Sequence, residues 1–303
     1  MKAHFRINFD KGQQDAQARL FSAAVLHELA TTGKSKILSR LVPQTGLLEQ
    51  LGAQAQLRDL YGVAFDTMVR LPQRHEYVYK NAVARKVLLG THSLKTAAML
   101  SEFRVGQCKA DLVILNGTSI AFEIKSERDN VARLEQQVSA YLKVFALVNV
   151  VTGANHLDAV RGIVPAEVGI VVLSDRYHLK TVREAKPNRA NLDSIKIFET
   201  LQRKEAEQVL QICGRATPDL PNTRMHEALR TEFSAVDPTE VHAAAVTVLK
   251  RSRTSEPLKD TLESLPSALS AAILGIRLRQ CDRLRLVQSM DVALATAREW
   301  VRN

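Results

Sequence analysis

The spacing of hydrophobic residues changes along the chain and marks a central sheet. Apolar residues recur at 112–115 and at 120–124, on either side of Asn116-Gly117, which is typical of a β-hairpin. Nearly continuous apolar runs at 146–152 and 168–173 indicate strands that are buried on both faces. Helical spacing between these runs predicts connecting helices. The pattern therefore predicts an α/β fold with a mixed sheet covered by helices.

The loop of the predicted hairpin decides which side chains share a face of the sheet. A two-residue loop at Asn116-Gly117 sends Asp111 and Glu123 to opposite faces. A three-residue loop, Leu115-Asn116-Gly117 with its glycine in the left-handed conformation, returns both carboxylates to one face and adds Lys125. This register also matches the apolar residues on the other face. We therefore predict the three-residue loop.

A helix with a polar row is predicted after the second strand of the hairpin. Apolar residues recur at helical spacing from Val131, and Ser126 with Asp129 predicts a capping box at the start of this helix. Gln137 and Tyr141 lie one turn apart beside the apolar stripe. We expect this row to face the two carboxylates and the lysine. Such a set can hold a divalent metal ion and activate a water molecule on it.

Helices are predicted on both sides of the sheet region. Residues 15–42 form two helices around Gly33, and Lys34, Lys36 and Arg40 make this pair resemble a helix-turn-helix, although a plain helical hairpin has the same pattern. From residue 199 onward the pattern is helical, with repeated proline breaks. We therefore predict a helical region at 1–72, a sheet-containing domain at 73–198 and a helical accessory domain at 199–303.

Composition narrows the class of protein. The 303 residues are 46% hydrophobic, which allows a large core, and no apolar run is long enough for a membrane span. The start of the chain, with Lys2 and Arg6, lacks an apolar leader, and the three cysteines lie far apart. We therefore expect a cytoplasmic protein without membrane contact, disulfide or zinc site. The formal charge of +10 suits a phosphate-binding surface.

The hairpin and the helix after it carry a family resemblance. Asp111, the Glu123-x-Lys125 pair on the next strand and the Gln137-x-x-x-Tyr141 helix resemble the core of the PD-(D/E)XK nuclease superfamily, and the helix is similar to its RecB-like branch. The stretch from about residue 76 to residue 173 looks closer still to a bacterial and prophage family of sce type in that superfamily. One departure is an alanine, rather than a proline, just before the aspartate. The resemblance implies a restriction-endonuclease-like fold, with a mixed β-sheet core flanked by helices.

The resemblance also implies a divalent-metal-dependent nuclease that acts on DNA, with RNA left open as a substrate. Asp111, Glu123 and the carbonyl oxygen of Ile124 would hold Mg²⁺ or Mn²⁺. Lys125 would orient the attacking water or stabilise the developing negative charge.

Further site residues follow from the same resemblance. Gln137 and Tyr141 would position the phosphate or the lysine, since both side chains offer hydrogen-bond donors. The superfamily often supplies an additional acid before the first motif residue. Glu76, near the start of a predicted helix, and Glu102, on a predicted short strand, both stay candidates for it.

Two other classes of function fit these residues. A nucleic-acid-binding or regulatory protein would retain the nuclease fold without chemistry, and a structural protein would use the carboxylates and Lys125 as a buried ion-pair network. Binding of Mg²⁺ or Mn²⁺ at Asp111 and Glu123 distinguishes the enzyme from that network. DNA is the expected partner. Candidate protein partners are a second copy of the chain, giving a homodimer, and a motor protein, since no Gly-x-x-x-x-Gly-Lys loop is present.

Overall fold

The computed structural model describes residues 9–301. Residues 1–8, to which the expectation about a leader refers, lie outside the described residues. Helices precede the sheet: α1 (Lys11–Arg19), α2 (Ala23–Thr32), α3 (Lys36–Gln44), α4 (Leu48–Leu51), α5 (Leu57–Arg70), α6 (Glu76–Val83), a π-helical segment (Ala84–Leu88) and α7 (Leu89–Thr91).

The central part of the chain alternates strands with helices. Its elements are β1 (Ala98–Val105), β2 (Cys108–Leu115), β3 (Ser119–Lys125), α8 (Leu134–Leu142), β4 (Leu147–Thr152), a 3₁₀ turn (Ala154–His156), α9 (Leu157–Ile163), β5 (Gly169–Leu173) and β6 (Leu179–Arg183).

Helices and short 3₁₀ turns follow the sheet. The helices are α10 (Ser194–Phe198), α11 (Arg203–Ile212), α12 (Asn222–Ser234), α13 (Pro238–Ser252), α14 (Lys259–Ser264), α15 (Ser270–Leu274), α16 (Gln280–Ser289) and α17 (Leu294–Arg298), and the 3₁₀ turns are Glu256–Leu258, Ser267–Leu269 and Glu299–Val301. None of the described helices is long and apolar enough to cross a membrane.

Within the described residues the strands form one sheet in the order β1-β2-β3-β4-β5-β6. β3, β4 and β5 run parallel to their neighbours in that group, whereas β1, β2 and β6 pair antiparallel. The chain is thus a mixed α/β protein with a six-stranded sheet flanked by helices, and this coarse part of the fold prediction is confirmed. Parallel pairing requires the crossovers through α8 and α9, because two parallel strands cannot be joined by a tight turn.

The loop between β2 and β3 has three residues, as predicted, but they are Asn116, Gly117 and Thr118. Leu115 pairs with Ser119, and Gly117 has a φ of 68°, in the left-handed region that glycine tolerates. The predicted loop residues were therefore wrong by one position. Leu115 stays in the ladder because its side chain is buried in the core. The predicted and the observed register differ by two residues, an even number, so Asp111, Glu123 and Lys125 still share one face.

The helix after β3 begins later than predicted. α8 starts at Leu134, with Arg133 as its N-cap and no side-chain cap. Ser126 and Asp129 do interact, since the Ser126 N–H and hydroxyl donate to Asp129 Oδ2 at 2.8 and 2.7 Å. These bonds close a turn directly after β3, so the predicted capping box is wrong. The apolar stripe is as expected from Leu134 onward, and it packs α8 on β2 and β4.

The chain divides into two compact units. Unit 1 contains the described residues up to Asn81 and those from Leu258 onward, and unit 2 contains Ala82–Pro257. In unit 1, α16 packs on α2 and α17 packs on α3. In unit 2, α11 packs on α13, and α13 packs on β2. The helices after residue 199 are therefore shared between the units, whereas the predicted division at 72 and 198 kept them together.

A buried hydrogen bond attaches α13 to the sheet. His242 Nε2 lies 2.7 Å from Ser119 Oγ, which also accepts the Ala146 N–H at 3.0 Å. Burial holds the pKa of His242 below its usual range. The same core contains Val113, Val138 and Phe145. The face of the sheet that carries Asp111 and Glu123 is therefore closed by helices at the other end of the hairpin.

Candidate functional site

Glu123 and Lys125 form a buried ion pair at the end of β3. They are two residues apart on one strand, so both side chains leave the same face of the sheet. Lys125 Nζ donates to Glu123 Oε1 at 2.8 Å and to Gln137 Oε1 at 2.9 Å. Glu123 is 2% exposed and Lys125 is 8% exposed. Two charges so buried occur in proteins mainly where they are paired or hydrogen-bonded, as they are here.

α8 brings Gln137 and Tyr141 to this pair. The two residues are one helical turn apart, and Leu134 and Val138 fix the rotation of the helix by packing into the core. The Tyr141 hydroxyl lies 2.8 Å from Glu123 Oε2 and 2.8 Å from the Lys109 carbonyl oxygen. The hydroxyl has one proton, so it donates a hydrogen bond to one of these oxygens at a time. The polar row beside the apolar stripe thus faces the Lys125 ammonium and the Glu123 carboxylate.

Asp111 lies on β2 beside the backbone of β3. Its Oδ2 accepts the Ile124 N–H at 2.8 Å, and the residue is half-buried. This contact places the Asp111 carboxylate next to the strand end that carries Glu123 and Lys125. The Ile124 side chain is buried on the opposite face of the sheet. Only its backbone is therefore on the side of the polar cluster.

Glu102 lies on β1 opposite Asp111. The neighbouring pairs Ser101–Leu112 and Phe103–Ala110 set this register. A carboxylate oxygen of Glu102 is within 4.8 Å of one of Asp111. Glu102 has a φ of 54°, which is unfavourable for a residue with a side chain and unusual within a strand. Backbone strain of this kind persists where surrounding structure imposes it, and it is frequent at functional sites.

Glu76 is in unit 1, in the first turn of α6. Its carboxylate pairs with Lys80, one turn further along the helix, at 2.5 Å. This is the surface pair that Glu and Lys form at a spacing of four residues.

Lys109 is a residue at the site that the sequence analysis missed. Its carbonyl oxygen lies beside the Tyr141 hydroxyl, and its ammonium donates to Glu102 Oε2 at 3.0 Å. The available signal was its position two residues before Asp111 on the same strand, which places both side chains on one face. Lys109 therefore connects the acidic pair to the tyrosine.

Burial controls the electrostatics of the cluster. It raises the pKa of Glu123, and the Lys125 charge with hydrogen bonds from Lys125, Tyr141 and Gln137 opposes that rise. Burial and the nearby Glu123 carboxylate raise the pKa of Tyr141, so its hydroxyl stays a proton donor at neutral pH. A cluster with perturbed pKa values and converging polar groups is a candidate for a functional site.

The donor set suits a hard divalent cation. Asp111 and Glu102 offer carboxylate oxygens close enough to approach one ion, and oxygen ligands are those that Mg²⁺ and Mn²⁺ prefer. Both oxygens of Glu123 are engaged, one by Lys125 and the other by Tyr141. Each carboxylate oxygen has two lone pairs, so Glu123 can keep both hydrogen bonds and still offer a lone pair to an ion.

Tyr141→Phe tests how far the cluster depends on the tyrosine hydroxyl. The variant deprives buried Glu123 of a hydrogen bond, so we expect a loss of about 1–3 kcal/mol in the free energy of unfolding, measured by urea denaturation. Tyr61→Phe is the matched control, since Tyr61 is fully buried but its hydroxyl donates to an uncharged group, the Leu20 carbonyl oxygen, at 3.3 Å. Equal losses in the two variants would contradict a special role for the Glu123 contact.

Comparison with known proteins gives a phage family. A family model described as "Bacteriophage P4 protein cII" matches residues 70–271, which is more than half of the chain and includes every residue of the polar cluster. Protein cII of Enterobacteria phage P4 is 35% identical to this chain over 80 residues. That alignment covers 26% of this chain and 30% of the phage protein. No solved structure matches the chain with significance.

Proposed function

We propose that this chain, which belongs to the Bacteriophage P4 protein cII family, is a divalent-metal-dependent nuclease that hydrolyses phosphodiester bonds of DNA. The observation that carries the proposal is the cluster on one face of the sheet. The cluster contains the carboxylates of Glu102 and Asp111. It also contains the buried Lys125 ammonium, which is hydrogen-bonded to Glu123 and Gln137. We assign the sheet to the PD-(D/E)XK nuclease type on the order and register of these residues.

Oxygen atoms of the cluster hold the metal ion in this proposal. The ligands are the carboxylates of Asp111, Glu102 and Glu123 with the carbonyl oxygen of Ile124. A bound Mg²⁺ or Mn²⁺ lowers the pKa of a coordinated water and offsets negative charge on the phosphate. We choose Glu102 over Glu76 as the additional acid because Glu102 lies opposite Asp111 in the same sheet and has an unfavourable backbone conformation there.

Lys125 supplies the cation that acts on the reacting groups. Its ammonium is held by Glu123 and Gln137, so it has a defined position before any substrate arrives. From there it orients the attacking water or stabilises the negative charge that develops on the phosphate. A preorganised charge in a site with little water contributes more than the same charge in bulk solvent. Gln137 and Tyr141 are positioning residues, since they contact Lys125 and Glu123.

The mutual pairing of Glu123 and Lys125 favours a second candidate function. A nucleic-acid-binding or regulatory protein would keep this pair as a structural element and bind no metal. The two functions differ in what the acidic pair does. In a nuclease, Asp111 and Glu102 hold an ion, whereas a binding protein uses neither carboxylate. Metal-dependent cleavage therefore separates the two candidates.

Nicking of supercoiled plasmid tests the proposed function. We expect cleavage with Mn²⁺ or Mg²⁺ and none with a chelator. Glu102→Gln should lower cleavage by about tenfold or more. Even the loss of a group that only supports a metal ligand typically costs that much in metal affinity or activity. Glu76→Gln is the matched control, with the same chemical change at the other candidate acid. We expect Glu76→Gln to retain cleavage.

Two outcomes would contradict parts of this proposal. If the folded wild-type protein cleaves neither DNA nor RNA with any divalent ion, the nuclease proposal is wrong. The nucleic-acid-binding or regulatory protein then replaces it. If Glu76→Gln abolishes cleavage and Glu102→Gln does not, the additional acid is Glu76 and our assignment is wrong.

A further inference from the structure

α3 in unit 1 has one buried face and one basic face. Its apolar residues pack inward, and the Ser39 hydroxyl donates to the Arg298 carbonyl oxygen at 2.7 Å, which attaches α3 to the end of α17. Lys36 and Arg40, one turn apart, are exposed on the opposite side, and Lys34 is exposed in the turn before the helix. We call Lys34, Lys36 and Arg40 the α3 basic face. It is the outer surface of a helix that is otherwise firmly packed.

α3 itself carries no acidic residue beside the cations of the α3 basic face. The sequence between Gly33 and Gly46 contains neither aspartate nor glutamate. Within the described residues, none of the three cations takes part in an ion pair. Arg203 on α11, by contrast, pairs with Glu207 at 2.7 Å. A solvated helix face usually mixes both signs of charge, so a face with cations alone suits a polyanion.

The turn before α3 is held rigidly. Glu28 accepts hydrogen bonds from the Ser35 hydroxyl at 2.6 Å and the Ile37 N–H at 3.2 Å, and the Ser35 hydroxyl in turn caps α3 at the Leu38 N–H. Gly33 ends α2 with a φ of 75°, which a side chain disfavours. The turn and the start of α3 therefore have one defined conformation.

A contact from the C-terminal segment of unit 1 supports the same turn. Arg285 Nη1 donates to the carbonyl oxygens of Ala30 and Thr31 at 2.7 Å, at the C-terminal end of α2, where a cation also complements the helix dipole.

The helical pair predicted at residues 15–42 corresponds to α2 and α3. It starts at Ala23, because Ser22 caps α2, and α1 is a separate helix.

We propose that the α3 basic face, which belongs to unit 1, is a docking surface for double-stranded DNA, whereas the proposed nuclease site belongs to unit 2. Two helices joined by a three-residue turn that contains glycine are the arrangement of a helix-turn-helix. The exposed helix of such a pair fits the major groove of duplex DNA, and its cations contact the phosphates. Because the charges come from α3 and a rigid turn, little ordering accompanies binding. The surface raises the affinity for duplex DNA whether or not the chain cleaves it.

Fluorescence anisotropy with a labelled duplex of about 30 base pairs tests this surface, in a chelator so that no cleavage occurs. The test variant is Lys34→Gln/Lys36→Gln/Arg40→Gln. Loss of three phosphate contacts should weaken binding about a hundredfold or more near 0.1 M salt and lower the slope of log K against log salt by about 2–3. The charge-retaining variant Lys34→Arg/Lys36→Arg/Arg40→Lys should bind like the wild type.

The matched control removes three exposed cations elsewhere. Lys204→Gln/Arg224→Gln/Lys259→Gln carries the same change in net charge. We expect it to keep most of the affinity and nearly all of the salt slope. If the α3 variant, with an unchanged melting temperature, loses no more than this control, the docking surface is refuted. Binding in a chelator is independent of catalysis, so this outcome and a failure of the plasmid assay can be told apart.

Discussion

Lys125→Met should strongly lower plasmid cleavage while Mn²⁺ binding persists. The carboxylates of Asp111 and Glu102 remain, and Glu123 is released from its lysine partner, so the ligand set is intact. Cleavage should fall about a hundredfold or more, as when one group that stabilises the transition state is removed. Isothermal titration with Mn²⁺ and nicking of supercoiled plasmid on the same preparations measure the two quantities.

Asp111→Asn is the companion variant for this prediction. It keeps the size of the side chain and removes a ligand charge, so Mn²⁺ binding and cleavage should be lost together. The pattern expected of a nuclease is therefore a separation of the two readouts in Lys125→Met and their joint loss in Asp111→Asn. Unchanged Mn²⁺ binding in Asp111→Asn would show that the ion is held elsewhere.

Replacing both members of the buried pair should restore the stability that replacing one removes. Lys125→Met leaves the Glu123 carboxylate buried without its cation, and we expect a loss of about 3–5 kcal/mol in the free energy of unfolding at neutral pH. Glu123→Gln/Lys125→Met removes both charges at similar volume. It should be as stable as the wild type or more stable, although inactive, because a buried pair gains little over a neutral replacement.

The loss in Lys125→Met should also depend on pH. Burial raises the pKa of Glu123, and Lys125 is the main influence that lowers it, so the variant raises this pKa further. The folded state then holds a proton that the unfolded state has released. The stability of the folded variant is therefore fully present at a pH below the ordinary pKa of a glutamate. It is lost as the pH rises through the raised pKa of Glu123 in the folded state. Urea denaturation should therefore show a small loss at acidic pH and the full loss at neutral pH.

Lys196→Met is the control for the stability measurements. Lys196 pairs with Glu199 at the same 2.8 Å, but this pair is exposed to solvent. Its loss should cost about 0–1 kcal/mol, as for other surface pairs. If the double variant of Glu123 and Lys125 is as unstable as Lys125→Met alone, the pair stabilises the fold specifically. The case for keeping it as part of a catalytic site would then be weaker.

Local periodicity was enough to predict which side chains of the hairpin and of α8 share a face. A strand repeats every two residues and a helix about every 3.6, so Glu123 with Lys125, and Gln137 with Tyr141, were placed correctly relative to each other. The loop has three residues rather than two, which places Asp111 on the same face as Glu123 and Lys125. These relations depend on backbone geometry over a few residues, which the sequence by itself determines.

The start of α8 and the residues of the hairpin loop were decided by tertiary packing. Leu115 stays in the ladder because the core buries it, and the Ser126–Asp129 contact closes a turn five residues before α8 begins. Each local signal was real, since the loop has three residues and the two side chains do bond. Burial of the flanking residues selected between alternatives that differ little in local energy.

Only the tertiary structure could bring the Lys109 carbonyl oxygen against the Tyr141 hydroxyl, since these residues are 32 positions apart. Glu102 and Asp111 lie in one hairpin, but the unfavourable φ of Glu102 has no signal in the sequence. The sharing of the C-terminal helices between the two units has the same origin. Contacts between distant segments depend on which apolar faces bury each other, and the hydrophobic pattern of one segment does not specify its partner.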